Sequence, residues 1–579
     1  MKKQNTLHQK LTVLLLAAAL LAGCGGAGAS GSTAAPAASS AAAAAGQRDA
    51  EAVQIALSAD GVAVNGQAAG TTPTAVYLSN DIIYYEDRDS YASGNPYGEG
   101  TAAERHSADE AAAHTVVNIT APGRYELTGT LPKGQIRVDL GEEAAEDPAA
   151  VVTLILNGAD ITCTVAPAIL FLNVYECDNN WSTETAQSTV DTAAAGANLI
   201  LAEGSSNLVK GGHVARIYKD AEGEKKLWKQ DGAIYSYMSM NVDGTGSLDL
   251  TADNEGLDTE LHLTINGGAV NIRSGNDGIN TNEDGVSVTT INGGSLHIIA
   301  GLGEEGDGID SNGWLVINGG TVVASANPAA DAGLDSDMGS YINGGTVVAL
   351  GSTMDWAESD SKQVTMNLQF AQYQQSDSAL VVTDLQGNAV FAYAPAQDEV
   401  LGANTRRYMG AILSSPAFEQ GQSYQVFVGG TVTGSETGGV YTAVESVQGG
   451  VQQSYSGTDV TMRPGGMGGF GGGKGEFNGE QPQRPEGELP QMPEGFAGGR
   501  GQRPDGQQPG QRPEGEPPEL PAGSGMMQPG QRPEGEMPQR PENFGAEMPG
   551  NAGEAKANTV FYMQDKVNCF SGVAAMAEE

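Results

Sequence analysis

The chain has 579 residues, with 71 Asp and Glu against 29 Lys and Arg, for a formal net charge of −42. That balance excludes an interface built on nucleic-acid phosphates, which needs Lys and Arg, and favours cations or partners reached through cations. The four Cys form no Cys-x-x-Cys pair or His/Cys cluster, which argues against zinc and against a disulfide framework, while 82 Gly suit a chain with many tight turns.

Residues 1–23 read as a lipoprotein signal peptide. Lys2, Lys3 and Lys10 precede Leu11 to Ala22, a run apolar except for Thr12 and too short for a permanent membrane span. It ends in Leu21-Ala22-Gly23-Cys24, which resembles a bacterial lipobox. The resemblance implies cleavage before Cys24, acylation of its thiol, and a protein anchored by lipid on the extracellular face of the cytoplasmic membrane. An ordinary secretory peptide with a chance Cys is the alternative. Residues 24–50 are Ala/Gly/Ser-rich and read as a flexible tether. Of the other Cys, Cys163 and Cys177 can pair, leaving Cys569 over.

Residues 51–350 hold a repeat. Ile265-Asn266-Gly267-Gly268 recurs at Ile291, Ile317 and Ile342, at offsets of 26, 26 and 25. An alternating apolar segment follows each copy, as in Ala269-Val270-Asn271-Ile272. A second segment precedes each: Gly256-Leu257-Asp258-Thr259-Glu260, Gly278-Ile279-Asn280-Thr281-Asn282, Gly308-Ile309-Asp310-Ser311-Asn312 and Gly333-Leu334-Asp335-Ser336-Asp337. Degraded copies appear earlier, at Asp231-Gly232-Ala233-Ile234 and Leu154-Ile155-Leu156-Asn157-Gly158. Short β-branched strands, Asn-Gly turns and this period exclude helical repeats and fit poorly with propeller blades. They predict an all-β fold, a parallel β-helix, right-handed by the default for parallel crossovers. Asn266, Asn292, Asn318 and Asn343 are expected to stack as an amide ladder at left-handed corners.

These features resemble the secreted clostridial carbohydrate-binding-domain proteins, calcium-binding parallel β-helices similar to pectate lyases. The likeness rests on the Ile-Asn-Gly-Gly turns, on Asp277-Gly278-Ile279 and Asp307-Gly308-Ile309, and on Leu154 to Ile161. It covers most of residues 55–460. It implies polysaccharide as the partner.

Alternation in the second segment sends Leu257, Ile279, Ile309 and Leu334 inward. It sends Asp258/Glu260, Asn280/Asn282, Asp310/Asn312 and Asp335/Asp337 outward as a column, with Glu255, Asp277 and Asp307 as a second column at the strand mouths. Rungs about 4.8 Å apart make neighbouring carboxylates repel by roughly 0.9 kcal/mol in water and roughly 3.5 kcal/mol at an effective dielectric of 20. Residues 251–350 hold fourteen Asp or Glu and one basic residue, Arg273, so a metal has to supply the counter-charge. Calcium, with oxygens at about 2.3–2.6 Å, spans about one rung spacing, and these eleven residues are its candidate ligands. A merely solvated acidic face is the alternative. The insertion Glu283 to Val286 is expected to interrupt the column or add ligands.

Trp314, Trp356, Tyr235 and Tyr237 are candidate sugar-stacking residues. Lys362 and Arg273 are the only Lys and Arg between residues 230 and 400, and neither is placed as the base of a uronate lyase. Calcium-dependent binding of a polysaccharide, possibly a polyuronate, by a monomer is therefore the favoured function. Pectin-like lyase or hydrolase activity, and an adhesive scaffold stapled by calcium, are the alternatives.

Residues 351–460 carry alternating segments that read as a small antiparallel β cap on the open end of the repeat. Residues 461–555 are Gly/Pro/Gln-rich and read as disordered, and 556–579 turn apolar again, as a strand returning to the cap.

Overall fold

The computed structural model describes residues 51–86, 97–98, 100–218, 226–375, 377–395, 406–459 and 558–576. The leader, the tether with Cys24, and the segment 461–555 lie outside the described residues. Within them the chain is nearly all strand, with a single five-residue α-helix, Ala108–Ala112. The all-β expectation is borne out.

Each repeat contributes one strand to each of three parallel ladders. The first runs Thr115–Ile119, Gly134–Asp139, Ile169–Asn173, Gly232–Ser236, Glu255–Thr259, Ile279–Thr281, Ile309–Ser311, Leu334–Ser336. The second includes Gly123–Leu131, Val152–Thr162, Ala197–Leu201, Met240–Gly244, Leu263–Ile265, Val288–Ile291, Trp314–Ile317 and Gly339–Ile342. The third runs from the far half of Val152–Thr162 through Ser206–Gly211, Ser247–Ala252, Ala269–Arg273, Ser295–Ile299 and Thr321–Ser325 to Thr346–Gly351.

Each strand of these rungs sends one or two apolar residues into a common interior. Leu257, Ile279, Ile309 and Leu334 from the first ladder meet Ile265, Ile291, Ile317 and Ile342 from the second and Val270, Leu296, Val322 and Val347 from the third in one core. Thr259, Thr281, Ser311 and Ser336 are also buried, and the Thr281 hydroxyl bonds those of Thr289 (3.1 Å) and Ser311 (2.9 Å), so small polar groups inside the stack satisfy one another.

The turn between the second and third ladders repeats without drift. The amides of Asn292, Asn318 and Asn343 donate to Oδ1 of the Asn one rung back, at 2.9, 3.0 and 3.0 Å. The left-handed backbone falls not on Asn but on the second Gly, with φ of 83° at Gly294. The Glu283–Val286 insertion does not break the stack. It closes a loop with Val286 N–H on the Glu283 carbonyl (3.1 Å), and Asn280 still pairs with Asp310 in register.

Parallel stacking ends where Arg407–Ser414 pairs antiparallel with Thr346–Gly351. A second core gathers around Met366, Leu368, Phe370, Val426 and Tyr408. Val567–Ala575 lies parallel to Thr365–Gln375 and antiparallel to Val451–Ser454, and Phe561 and Phe570 pack on Tyr455. One pairing in this region is thus parallel, which a strand returning from far along the chain can make and a hairpin cannot. Cys163 and Cys177 are free thiols, so the possible pairing between them is not made.

A Cβ at Gly294 would sit 2.6 Å from the Gly268 carbonyl oxygen, besides requiring a positive φ. Gly294→Ala should cost about 2 kcal/mol or more in urea unfolding, against less for Gly387→Ala, where φ is also positive but nothing lies within 4 Å.

Candidate functional site

Register places Tyr235, Asp258, Asn280, Asp310 and Asp335 in one column on the first ladder. Burial of its first members corrects the alternative of a merely solvated acidic face. Asp258 is fully buried, and Glu255, Asp277 and Asn280 are buried with it. Glu260, Asn282, Asp307, Asp310, Asn312 and Asp335 are half-buried, and Asp337 is exposed.

The counter-charge expectation is corrected too. Lys229, in the strand Lys226–Gln230 just ahead of the ladder strand Gly232–Ser236, puts its ammonium 2.6 Å from Asp231 Oδ2 and 2.9 Å from Asn282 Oδ1. A basic residue therefore does stand beside the column. Burial opposes its charge, but Asp231, Glu255 and Asp258 outweigh burial and hold its pKa above the usual lysine value. It is kept protonated, as a counter-ion and not as a base.

Asp231, Glu255 and Asp258 converge, with one oxygen of each within 4.8 Å of the others. Asp258 Oδ1 accepts from Asn282 Nδ2 (2.6 Å) and Glu255 Oε1 from Asn280 Nδ2 (3.2 Å). Their second oxygens, Asp258 Oδ2 and Glu255 Oε2, are buried with no hydrogen-bond donor among the described residues, as are Asn280 Oδ1 and Gln230 Oε1. Such orphaned acceptors are costly in a protein interior. Three carboxylates facing one ammonium leave two formal negative charges. The donors are all hard oxygens with no sulfur or imidazole, a set that suits calcium and not zinc. Burial, then Glu255, pushes the Asp258 pKa up, and burial, then Asp231, raises Glu255.

Three rungs beyond Asp258, burial pushes Asp335 up to about 9, helped by Asp307 and Asp355. Burial and then Asp307 raise Asp310. The strand-mouth acids do other work as well. Asp277 Oδ1 accepts from Asp307 N–H (2.7 Å) and Asp307 Oδ1 from Ala332 N–H (2.5 Å), tying each rung to the next. Glu260 accepts the Tyr235 hydroxyl.

The aromatic candidates are also corrected. Tyr235 and Trp356 are buried in the core and have no free face for a sugar. Tyr237 packs edge-on against Tyr235 at 5.1 Å, and Trp314 is half-buried at a strand start. Sequence reasoning missed Lys229, Gln230, Asp231 and Asp355. The signal for Asp231 was its place in the degraded copy Asp231-Gly232-Ala233-Ile234.

The comparisons with known proteins agree with the repeat motifs. Residues 113–384 match the family model for carbohydrate-binding domain-containing proteins. That is the family the Ile-Asn-Gly-Gly and Asp-Gly-Ile motifs resemble, and the matched segment contains the whole carboxylate column. A carbohydrate-binding domain-containing protein of Acetivibrio thermocellus is 28% identical over 159 residues, 27% of this chain and 45% of that protein. The chain thus matches somewhat under half the length of that relative. Among solved structures, a polysaccharide lyase-like protein from C. thermocellum, as a gadolinium derivative, aligns with 51% of this chain and 93% of its own at 22% identity, with a TM-score of 0.29.

Carboxyls whose folded pKa lies above the unfolded value bind more protons when folded, so their contribution to stability is lost as pH rises through that interval. For Asp335 the interval runs from about pH 4 to about pH 9. In a chelating buffer the melting temperature should fall from pH 5 towards pH 9. A rise across that range would contradict the carboxylate assignments.

Proposed function

We propose that this chain binds polysaccharide at the cell surface, with calcium held on the carboxylate rungs of a parallel β-helix formed by residues 51–350. In this reading residues 351–460, joined by the strand Val567–Ala575, cap the helix. The observation that carries the proposal is the convergence of unpartnered buried oxygens from Glu255, Asp258 and Asn280 beside Asp231. Family membership of the matched segment supports the carbohydrate part of the reading.

The two ends of the column suit different work. Asp231, Glu255 and Asp258 lie inside, so an ion there staples adjacent rungs and neutralises what Lys229 leaves over. Asp310, Asp335 and Asp337 are progressively open to solvent, so an ion there keeps coordination positions that uronate carboxylates can fill. The burial of the first group gives weight to calcium as a staple, alongside its role in recruiting the glycan.

Calorimetric titration of calcium into the chelated protein should show binding, and saturating calcium should raise the melting temperature. At a hundredfold excess over Kd the linkage is about 2.7 kcal/mol. Asp258→Asn should weaken the buried site by about tenfold or more. Lys229→Met should destabilise the calcium-free protein more than the calcium-loaded one. No calcium effect on melting would end the proposal. Polygalacturonate retention that is equal in calcium and in EDTA would remove the recruiting role and leave the staple.

For the surface location, the leader resemblance supports acylation of Cys24. Metabolic labelling with a fatty-acid analogue should mark the native chain and not Cys24→Ser; equal labelling would exclude that anchor.

A further inference from the structure

The second ladder has an outer face that the carboxylate column does not use. Tyr125, Leu154, Leu199, Val242, Ile265 and Ile291 point into the core. The residues just before them, Arg124, Thr153, Asn198, Asn241, Thr264 and Thr290, therefore face out, and they lie in register on six successive strands. Five steps of about 4.8 Å make a polar track about 24 Å long. Over it stands a segment of small residues, Val190 to Ala195, and the two enclose a cleft of about 490 Å³.

The wall is pinned. The Thr192 hydroxyl lies 2.8 Å from Asn241 Oδ1 and 2.7 Å from Thr264 Oγ1. Asn241 Nδ2 donates to the Thr192 carbonyl (2.8 Å) and to Asn198 Oδ1 (3.1 Å), and Asn198 Nδ2 donates to the Ala195 carbonyl (2.8 Å). The cleft is thus preformed, which lowers the entropy lost on binding. Its far side is extended by Asp243 and by Asn266, the first member of the amide ladder, both exposed.

We infer that this cleft is a glycan site, separate from the carboxylate column and independent of its cation. The inference rests on the reading of the chain as a carbohydrate binder and adds a location to it. The polar part of the lining is amides, hydroxyls, one guanidinium and two carboxylates, set among apolar residues such as Val151, Val190, Leu199 and Ile200 and without an aromatic platform. Such a surface recognises a linear polyhydroxylated chain through directional hydrogen bonds and not by ring stacking. Asn241 and Thr264 are buried and taken up by the wall, so a glycan in the cleft meets the polar groups on either side of it: Arg124 and Thr153 toward one end, and Asp243, Asn266 and Thr290 toward the other. Among the described residues, neither Asp191 nor Asp243 belongs to a group of three or more converging carboxylates, so the proposed hydroxyl contacts are drawn without a bridging ion.

The test is calorimetry on the full chain with cellohexaose, xylohexaose and hexagalacturonate, in calcium and in EDTA, below the melting transition of each buffer. Variants are Ala194→Trp, which fills the cleft from an exposed wall position, and Asp243→Ala, with Asp258→Asn as the comparator. At least one hexasaccharide should bind in both buffers. Both cleft variants should weaken it, Ala194→Trp by about tenfold or more, and neither should change the calcium titration that Asp258→Asn weakens. Should Ala194→Trp fail to fold by its melting curve, Asp243→Ala decides alone. Binding that survives the cleft variants, or that only Asp258→Asn or EDTA removes, overturns the cleft and leaves the carbohydrate reading standing. No binding of any hexasaccharide in either buffer, together with no retention on polygalacturonate, overturns both.

Discussion

A parallel, in-register ladder sets like against like. Every side chain on an outer face finds its counterpart from the next repeat about 4.8 Å away, and the hydrogen bonds of the ladder forbid it to move aside. An amide thrives on this, because it donates and accepts at once, and Asn266, Asn292, Asn318 and Asn343 make a continuous chain of such bonds. Carboxylates suffer from it, because they only accept. Much of the chemistry of the first ladder answers that problem. Asp277 and Asp307 turn one oxygen onto a backbone amide of the next rung, Asp258 and Glu255 take Asn amides, and Lys229 brings an ammonium from outside the repeat. What these devices leave unsatisfied, Asp258 Oδ2 and Glu255 Oε2 among them, is where the proposed cation would sit.

The fold was legible because its signals are periodic. A turn of fixed composition every 25 or 26 residues gave the stacking, and alternation placed Leu257, Ile279, Ile309 and Leu334 inside, where they are. The carboxylate residues were legible as a column but not as an environment. Alternation says which side of a strand a residue faces and is silent on what covers that side, so Asp258, expected to face outward, is nevertheless fully buried. Lys229 was missed for a related reason. It belongs to the strand Lys226–Gln230, which carries no repeat motif, and only the three-dimensional approach to Asp231 and Asn282 reveals its role. The glycines show the same limit at finer scale, since composition marked the turn but the left-handed residue is the second Gly and not the Asn.

Two faces of the stack emerge with different characters. The first ladder concentrates charge and buries part of it, which ties its state to pH. The second carries amides and hydroxyls beside a pinned wall, with Thr192 joined to Asn241 and Thr264. A common scaffold supports both because adjacent rungs interact only with their neighbours, so one face can vary without disturbing the register of another.

The pairing of Val567–Ala575 with Thr365–Gln375 has a consequence for how the chain is completed. Rungs of the stack join residues from 19 positions apart, as Thr115 with Gly134, to 65 apart, as Ile169 with Ile234, and can add one at a time as the polypeptide emerges. The second core joins residues separated by about two hundred positions, a closure that depends only weakly on loop length in free energy but delays the event in time. Until that late strand arrives, Phe561 and Phe570 are absent from the second core and Tyr455 lacks its aromatic partners. Assembly therefore has a direction: the ladders can form first, and the end of the stack is sealed last.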